Sequence, residues 1–551
     1  MNIKKIKITN FKCFKETFTL DLTQGLNVLV GKNEVGKSTI LEAINLAITG
    51  YYHGKSLRNE ISQYLFNTKS VDEYTQNIRS GLINIEPPRI DIEVFYDGDN
   101  CNPEFEGNNN SERCDKICGF KLSIALDEKY KSAYETLICE KGGSLYSLPL
   151  EYYETRWETF ARQYITPKDI QLSCSLIDSS RNIYRNFSDV YVSRIIRNSV
   201  DEQDRVAISQ AYRELVSNFS NNKSISSVNK KLGNIEYICG SQISIGVELG
   251  SSTSWEAALM PLADKIPFTF IGKGKQCVLK TEISLRSKAH EKAGIVLIEE
   301  PESHLSHSYL QKLVAHIEKA SPDKQLIIST HSSYVANKLG LCNIIMLNEK
   351  KALRLNSIDE ETANYFKKLS GYDTLRYILC ERAILVEGPS DDLIIQKAYR
   401  DVYGRYPLED GIDIIEVGTS YERFLKIACE LSIMTTVVID NDGKTKKLKE
   451  KRDLYQGYKC IKFCFENEIN SFSDETMKKL GEKFNINTLE PYLLSCNDAG
   501  ILAKIFEVDM TDTVDLLKYM KAHKTDCALK IYSCDQEIKY PRYILDALCH
   551  E

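Results

Sequence analysis

Gly31-Lys32-Asn33-Glu34-Val35-Gly36-Lys37-Ser38-Thr39 decides the fold of the first half of this chain. It follows the apolar run Leu26 to Val30 and opens the helical pattern Ile40 to Ile48. G-x-x-x-x-G-K-S therefore sits between a strand and a helix, the setting that a phosphate-binding P-loop requires. In such a loop the backbone N–H groups of a Gly-rich turn and a helix N-terminus surround phosphate oxygens. The expected nucleotide set is Gly31, Asn33, Gly36, Lys37, Ser38 and Thr39, with Lys37 on the β/γ-phosphates and Ser38 a ligand of Mg²⁺. A Gly-rich turn matching by chance is the bland alternative, and the flanking strand and helix weigh against it.

Working outward, Ile295-Val296-Leu297-Ile298-Glu299-Glu300-Pro301-Glu302 is an apolar strand ending in paired acids. Delivering Glu299 to the Mg²⁺ shell and Glu300 to an attacking water is the chemistry that nucleotide hydrolysis needs. A third apolar strand runs into Ser329-Thr330-His331-Ser332. A lone histidine there is more often a structural hydrogen-bonder.

The order P-loop, Gly272-Lys273-Gly274-Lys275-Gln276, Glu-Glu-Pro-Glu, Ser-Thr-His-Ser resembles the ABC-type ATPase heads of the SMC-like group. The resemblance implies that His331 contacts the γ-phosphate and that a signature loop around Gly274, supplied by a partner subunit, completes the site. ATP is then sandwiched between two heads, and the expected assembly is a homodimer or higher even oligomer. The Gly272–Gln276 loop lacks the Leu-Ser-Gly-Gly-Gln form of transport proteins, and Ser303-His304-Leu305-Ser306-His307 departs from the usual His-Leu-His-Pro. Both departures bear on hydrolysis more than on binding, so ATP is expected to act as a ligand switch with slow turnover.

The second half carries different chemistry. Ala383-Ile384-Leu385-Val386-Glu387-Gly388-Pro389-Ser390-Asp391 is followed by Val437-Val438-Ile439-Asp440-Asn441-Asp442. Each is a buried-looking strand with acids at its carboxyl end, where open α/β folds bind ligands. On an extended chain Asp440 and Asp442 share one side, and Glu387 converges on them from a parallel neighbour. Three or more carboxylates with oxygen-only ligation favour Mg²⁺ or Mn²⁺ over zinc. Two such ions clamp the attacking and leaving oxygens of a phosphodiester. Asp-Asn-Asp alone reads as a surface turn; the Glu-Gly-x-x-Asp unit preceding it argues otherwise.

These residues resemble the Toprim domain of topoisomerases, primases and certain nucleases, with Asp391 as the second acid of the first motif and Asp392 adjacent. A head of this type fused to a C-terminal Toprim domain resembles the overcoming-lysogenization-defect (OLD) family of nucleases across essentially the whole chain. That family comprises bacterial and phage enzymes, several of them anti-phage defence effectors. Asn487-Thr488-Leu489-Glu490 resembles its Thr-Leu-Glu segment, which implies that Glu490 joins the metal site. Lys524-Thr525-Asp526-Cys527-Ala528-Leu529 resembles its Lys-bearing helix, which implies that Lys524 sits near the scissile phosphate. On sequence alone both are solvated helix-end charges.

The expected fold is α/β throughout: a P-loop ABC-type ATPase head over 1–375, with a helical dimerisation insertion at about 180–234, then an open α/β Toprim domain with a C-terminal helical segment over 376–551. Met1 to Asn10 alternates in the manner of an edge strand, and Asp97 to Asp115 reads as an exposed loop. With 42% hydrophobic and 27% charged residues the chain reads as an ordinary globular protein, without an apolar run long enough for a bilayer. Seventeen cysteines without a secretion signal suit a reducing cytoplasm. Cys101, Cys114 and Cys118 lack the fourth ligand and Cys-x-x-Cys knuckle of a structural zinc site. The net charge of −6 argues against indiscriminate coating of nucleic acid. Lys444, Lys446, Lys447, Lys449, Lys451 and Arg452 nevertheless follow the Asp-x-Asp strand directly, either as a solvated helix face or as a phosphate-tracking edge.

The leading expectation is an ATP-regulated, divalent-metal-dependent DNA endonuclease with catalytic residues Glu387, Asp440, Asp442, Lys524 and, in the head, Glu300. Its metal ligands are Glu387, Asp391, Asp440, Asp442 and Glu490, with Ser38 at the nucleotide. The competing reading is an ATP-switched scaffold or sensor that binds nucleic acid without cutting it. Topoisomerase activity ranks low because no DNA-gate domain is recognisable. The family resemblance also implies a partner encoded next door in some relatives, a helicase or a reverse transcriptase with its non-coding RNA.

Overall fold

The structure is a computed structural model. It describes residues 1–551 except 53–54, 83–84, 98–101, 114–115, 142–143, 179–183, 186–187, 190–200, 234–260, 287–293, 321–323, 349–350, 355–360, 363, 366–373, 469, 482–483, 511 and 550–551. Chain contacts divide it into two units, Met1–His331 with Ile345–Ala352, and Ser332–Ile344 with Leu353–Glu551.

The P-loop helix, Lys37–Thr49, organises the first unit. Its apolar residues are not confined to one stripe: Ile40, Leu41, Ala43, Ile44, Leu46, Ala47 and Ile48 are all buried. A helix hydrophobic all round must be covered all round, and two sheets do this. One is antiparallel, running Tyr164–Ile165, Tyr153–Thr159, Ile117–Leu126, Ile90–Asp97, Asn2–Thr9, Phe18–Asp21, with Glu106–Gly107 added to Ile117–Leu126. The other runs Cys174–Asp178, Ile295–Glu299, Gln325–Ser329, Leu26–Gly31, Ile344–Asn348, Lys351–Arg354, and its first four strands are parallel. Leu26–Gly31 and Ile295–Glu299 are buried at every position, as a parallel strand covered on both faces must be. Burying the four Leu and Ile side chains nearest the loop, at about 2 kcal/mol each, holds the helix start far more firmly than a single cap would.

Two expectations change here. Asn2–Thr9 is an inner strand, paired with Ile90–Asp97 on one side and Phe18–Asp21 on the other; its alternation reflects one solvated face, which inner antiparallel strands share with edges. The loop after Asp97 is also partly structured, since Glu106–Gly107 pairs with the next strand. Trp157 is packing, buried with its indole N–H donating to Ala47 O at 2.9 Å. Of the expected insertion, the helices Glu202–Ser220 and Lys223–Gly233 are described; the remainder lies largely outside the described residues, as do Cys101 and Cys114.

The second unit centres on a four-stranded parallel sheet in the order Ile412–Glu416, Arg382–Val386, Met434–Val438, Ile461–Cys464. The helices Pro389–Tyr403, Leu489–Cys496, Lys524–Ser533 and Arg542–Leu548 pack with it into one apolar core. Arg382–Val386 and Met434–Val438 are adjacent and parallel, so both acidic strand ends open at the same edge. Among the described residues no helix is long and apolar enough to cross a membrane.

Candidate functional sites

In the first unit the loop between Gly31 and Lys37 is shaped by left-handed residues, Glu34 at φ 66° and Gly36 at φ 101°. At Gly36 only glycine fits: a Cβ would stand 2.5 Å from Phe14 Cζ and 2.8 Å from Cys13 Sγ. The loop curls around its own lysine. Lys37 Nζ donates to Gly31 O and Lys32 O, both at 2.8 Å, and burial lowers its pKa against the opposing pull of Glu300 and Glu302. A desolvated ammonium inside a cage of carbonyls is a poised anion binder, and this cradle fits a nucleotide's phosphates. Ser38 is half-buried at the helix start, and Thr39 accepts from Cys13 Sγ at 3.5 Å.

The acidic strand lies two strands from the P-loop, with Gln325–Ser329 between them. Glu299 is buried at its end beside Ser329. Glu300 turns into the left-handed region at φ 42°, donates its N–H to Ser329 O, and stands 3.7 Å from His331 Nε2. Glu302, to which the sequence pattern assigns no role, accepts from Thr330 Oγ1 at 2.8 Å and from His331 N at 2.7 Å. It thereby locks the acidic turn to the histidine. Burial and, second, Lys37 lower the His331 pKa, favouring a neutral imidazole. Gly274 lies in the first turn of the helix Lys273–Arg286, where a Cβ would meet His304 O of the same chain at 2.5 Å.

In the second unit five carboxylates and one lysine share an electrostatic neighbourhood. Burial raises the Glu387 pKa, with Asp442 adding to the rise and Lys524 opposing it. Asp391 is pushed up to about 7, by burial and then by Glu387. It is the third residue of the helix Pro389–Tyr403 and accepts from Gly388 N–H at 3.2 Å, which fixes it over the strand end. Asp440 lies well above the ordinary carboxylate range, through burial and then Asp391, Glu387 and Glu490. Its Oδ2 accepts from Leu489 N–H, the first of the helix Leu489–Cys496, at 3.2 Å. Glu490 is buried and pairs with Lys524 at 3.2 Å, and Lys524 also feels Asp440 and Asp391.

The extended geometry expected for Asp440 and Asp442 is not what the chain adopts. The strand ends at Val438, and Asp442 and Gly443 both take positive φ, 48° and 71°. The cause is Asn441, 1% exposed, whose amide is offered to Glu466 O, Glu468 O and Tyr492 Oη. It pins the turn, and Asp442 then accepts from Asn485 at 2.8 Å. Nothing in the local pattern marked Asn441, Asn485 or Tyr492. Tyr543 was also missed: its hydroxyl is buried without a hydrogen-bond partner, and its pKa is raised by burial and then by Asp440, Asp391 and Glu490.

Among the described residues no three His, Cys, Asp or Glu side chains stand at ligating spacing around one point. Asp391 is turned to Gly388, Glu490 to Lys524 and Asp442 to Asn485. The set converges in charge without closing as a ligand shell. Asp440 Oδ1 is buried and has no hydrogen-bond partner. An orphaned carboxylate oxygen among mutually repelling acids, all oxygen donors, fits a hard divalent cation.

A family model described as an AAA ATPase domain matches residues 1–336, and one described as an overcoming lysogenization defect protein-like TOPRIM domain matches residues 378–442. The chain belongs to the AAA ATPase domain family and carries an OLD-like TOPRIM domain. It is 24% identical over 540 residues to Endonuclease GajA of Bacillus cereus, covering 91% of this chain and 86% of that protein. It is 23% identical over 479 residues to OLD nuclease of Thermus scotoductus, covering 80% and 82% respectively. The SMC head domain from Thermotoga maritima aligns at 12% identity over 65% of this chain and 100% of that one, with a TM-score of 0.30. This OLD-type chain is thus homologous to nucleases over most of its length, and its ATPase match ends before its TOPRIM match begins.

Proposed function

We propose that this OLD-type chain is a divalent-metal-dependent DNA endonuclease restrained by ATP bound to its head, acting in anti-phage defence. The observation that carries the nuclease reading is the convergence of Glu387, Asp391, Asp440 and Glu490 on Lys524, with Asp440 Oδ1 left without a partner. Glu387, Asp391, Asp440, Asp442 and Glu490 would hold Mg²⁺ or Mn²⁺, which would supply a Lewis acid when bound. Lys524 offsets charge developing on the phosphoryl oxygens. Asn441 and the Leu489 N–H keep the acids in place as that charge changes. In the head, Lys37 and the P-loop N–H groups bind the phosphates, Ser38 and Glu299 hold Mg²⁺, Glu300 orients water, and His331 reads the γ-phosphate.

The ATPase portion is taken to extend over 1–375 and the nuclease portion over 376–551. A head of this kind completes its nucleotide site with Gly274 of a second copy, so the working form is a homodimer or a higher even-numbered oligomer. Light scattering at micromolar protein that gives only the monomer mass of 62.9 kDa, with and without ATP, contradicts the assembly. The function itself is tested on supercoiled plasmid. Nicking or linearisation should require Mg²⁺ or Mn²⁺, stop with EDTA, and decline as ATP is raised. Binding of plasmid without any cleavage under all these conditions would favour the scaffold reading.

A further inference from the structure

The helix Thr445–Leu454 is joined to the acid turn through Asp442, Gly443 and Lys444, and has no buried residue. Its start is tied to the same clamp that sets the acids, since Lys444 N–H donates to Asn441 O at 2.6 Å. Thr445, Leu448, Lys451 and Tyr455 are the partly covered positions. Lys451 acts as a strut, paired with Glu422 and 3.3 Å from Tyr421 Oη; Arg452 stands 3.5 Å from Asp453 and lies over Phe465. The rest of the helix surface is different. Lys446, Lys447 and Lys449 are exposed, and among the described residues none has an ion-pair or hydrogen-bond partner. Acids stand one turn on from two of them, Glu450 after Lys446 and Asp453 after Lys449, yet neither pair is closed. In a chain of net charge −6, six cations and two acids between Lys444 and Leu454 form a local positive surface.

We propose that the exposed face of this helix is the phosphate track that leads a DNA strand into the acid site. The inference rests on the nuclease reading and adds to it the course of the substrate. Lys446 is at most about 14 Å along the chain from Asp442. The helix is about 15 Å long, roughly four base-pair rises of B-DNA at about 3.4 Å each. Lys446, Lys447 and Lys449 contact backbone phosphates on one side of the cut, while Lys451 and Arg452 hold the helix against its own unit. Contacts of this kind carry no base information and release counterions. They strengthen binding of substrate and transition state alike.

The test is fluorescence anisotropy with a labelled duplex in EDTA, so that no metal-dependent cleavage interferes, over about 50 to 250 mM salt. Full-length wild type is compared with a Lys446→Gln/Lys447→Gln/Lys449→Gln variant. Neutralising three phosphate contacts should reduce the slope of log affinity against log salt by about 2.7. Because no side chain on this helix is buried, the melting temperature should not move. In cleavage assays KM should rise with kcat unchanged. A slope within about 0.5 of wild type, or no measurable binding by wild type, overturns the track. A changed slope in a protein that never cuts DNA upholds the track and removes the nuclease reading; cleavage with an unchanged slope does the reverse.

Discussion

Replacing Asp391 by Asn should stabilise this protein while destroying its nuclease activity, and the gain should depend on pH and metal in a defined direction. Asp391 has its pKa pushed from the ordinary 3.8 to about 7, by burial and then by the charge of Glu387. Below pH 4 the carboxyl is protonated in folded and unfolded chains alike. Between 4 and 7 the folded chain keeps a proton that the unfolded chain has released, so rising pH favours unfolding. Three pH units at about 1.36 kcal/mol each amount to about 4 kcal/mol lost by pH 8. Glu387, Asp440 and Glu490 share that repulsion, so one neutral substitution recovers roughly half, about 2 kcal/mol. Asn is isosteric and still accepts from Gly388 N–H. For a unit of this size about 2 kcal/mol corresponds to roughly 4 to 8 °C. Calorimetry of the full chain in EDTA should show that upshift at pH 8, shrinking towards zero near pH 4.5. Mn²⁺ at pH 8 should raise wild type more than the variant. An equal shift at both pH values, or no response of wild type to Mn²⁺, would refute the claim that the acids are held together against their charge.

Asn441→Ala should cost about 2 kcal/mol, because the part-buried Glu466 O and the buried Tyr492 Oη lose the amide as a donor, while Glu468 O keeps Tyr492 Oη. Asn441→Asp should not rescue it, since a carboxylate cannot donate; chemical denaturation checks both. Gly36→Ala should lower ATP affinity at least about tenfold, because its φ of 101° and the contact with Phe14 both exclude a Cβ; calorimetric titration of ATP reads this. Lys37→Ala should lose ATP binding, whereas Glu300→Gln keeps binding and loses hydrolysis. Their plasmid cleavage rates across an ATP titration should move in opposite directions, with Lys37→Ala the less restrained.

Much of this molecule is legible in its sequence because both sites are built at strand ends. Leu26 to Val30, interrupted only by Asn27, and Ala383 to Val386 are short apolar runs that suit a doubly covered parallel strand, and each ends where chemistry begins. What escaped notice was held by long-range contacts. Asn441 reaches residues 25 to 51 positions away, and Glu302 reaches Thr330 and His331 across 28 and 29. Periodicity is blind to such partners. The bend after Val438 was half legible: Asp-Asn-Asp alone reads as a turn, and Asn441 Oδ1 does accept from Gly443 N–H at 2.9 Å, but the clamp on the Asn441 amide comes from distant residues. The inner position of Asn2–Thr9 was hidden because alternation reports a solvated face, not a missing neighbour.

The most direct test of the account compares four proteins on one supercoiled plasmid in Mn²⁺: wild type, Asp440→Ala, Glu387→Ala and Lys37→Ala. Wild type and Lys37→Ala should cut, and EDTA should abolish both reactions. Asp440→Ala and Glu387→Ala should leave the plasmid intact while binding ATP as wild type does. Undiminished nicking by Asp440→Ala and Glu387→Ala, at equal protein and metal, would contradict the assignment of this acid cluster as the site of phosphodiester cleavage.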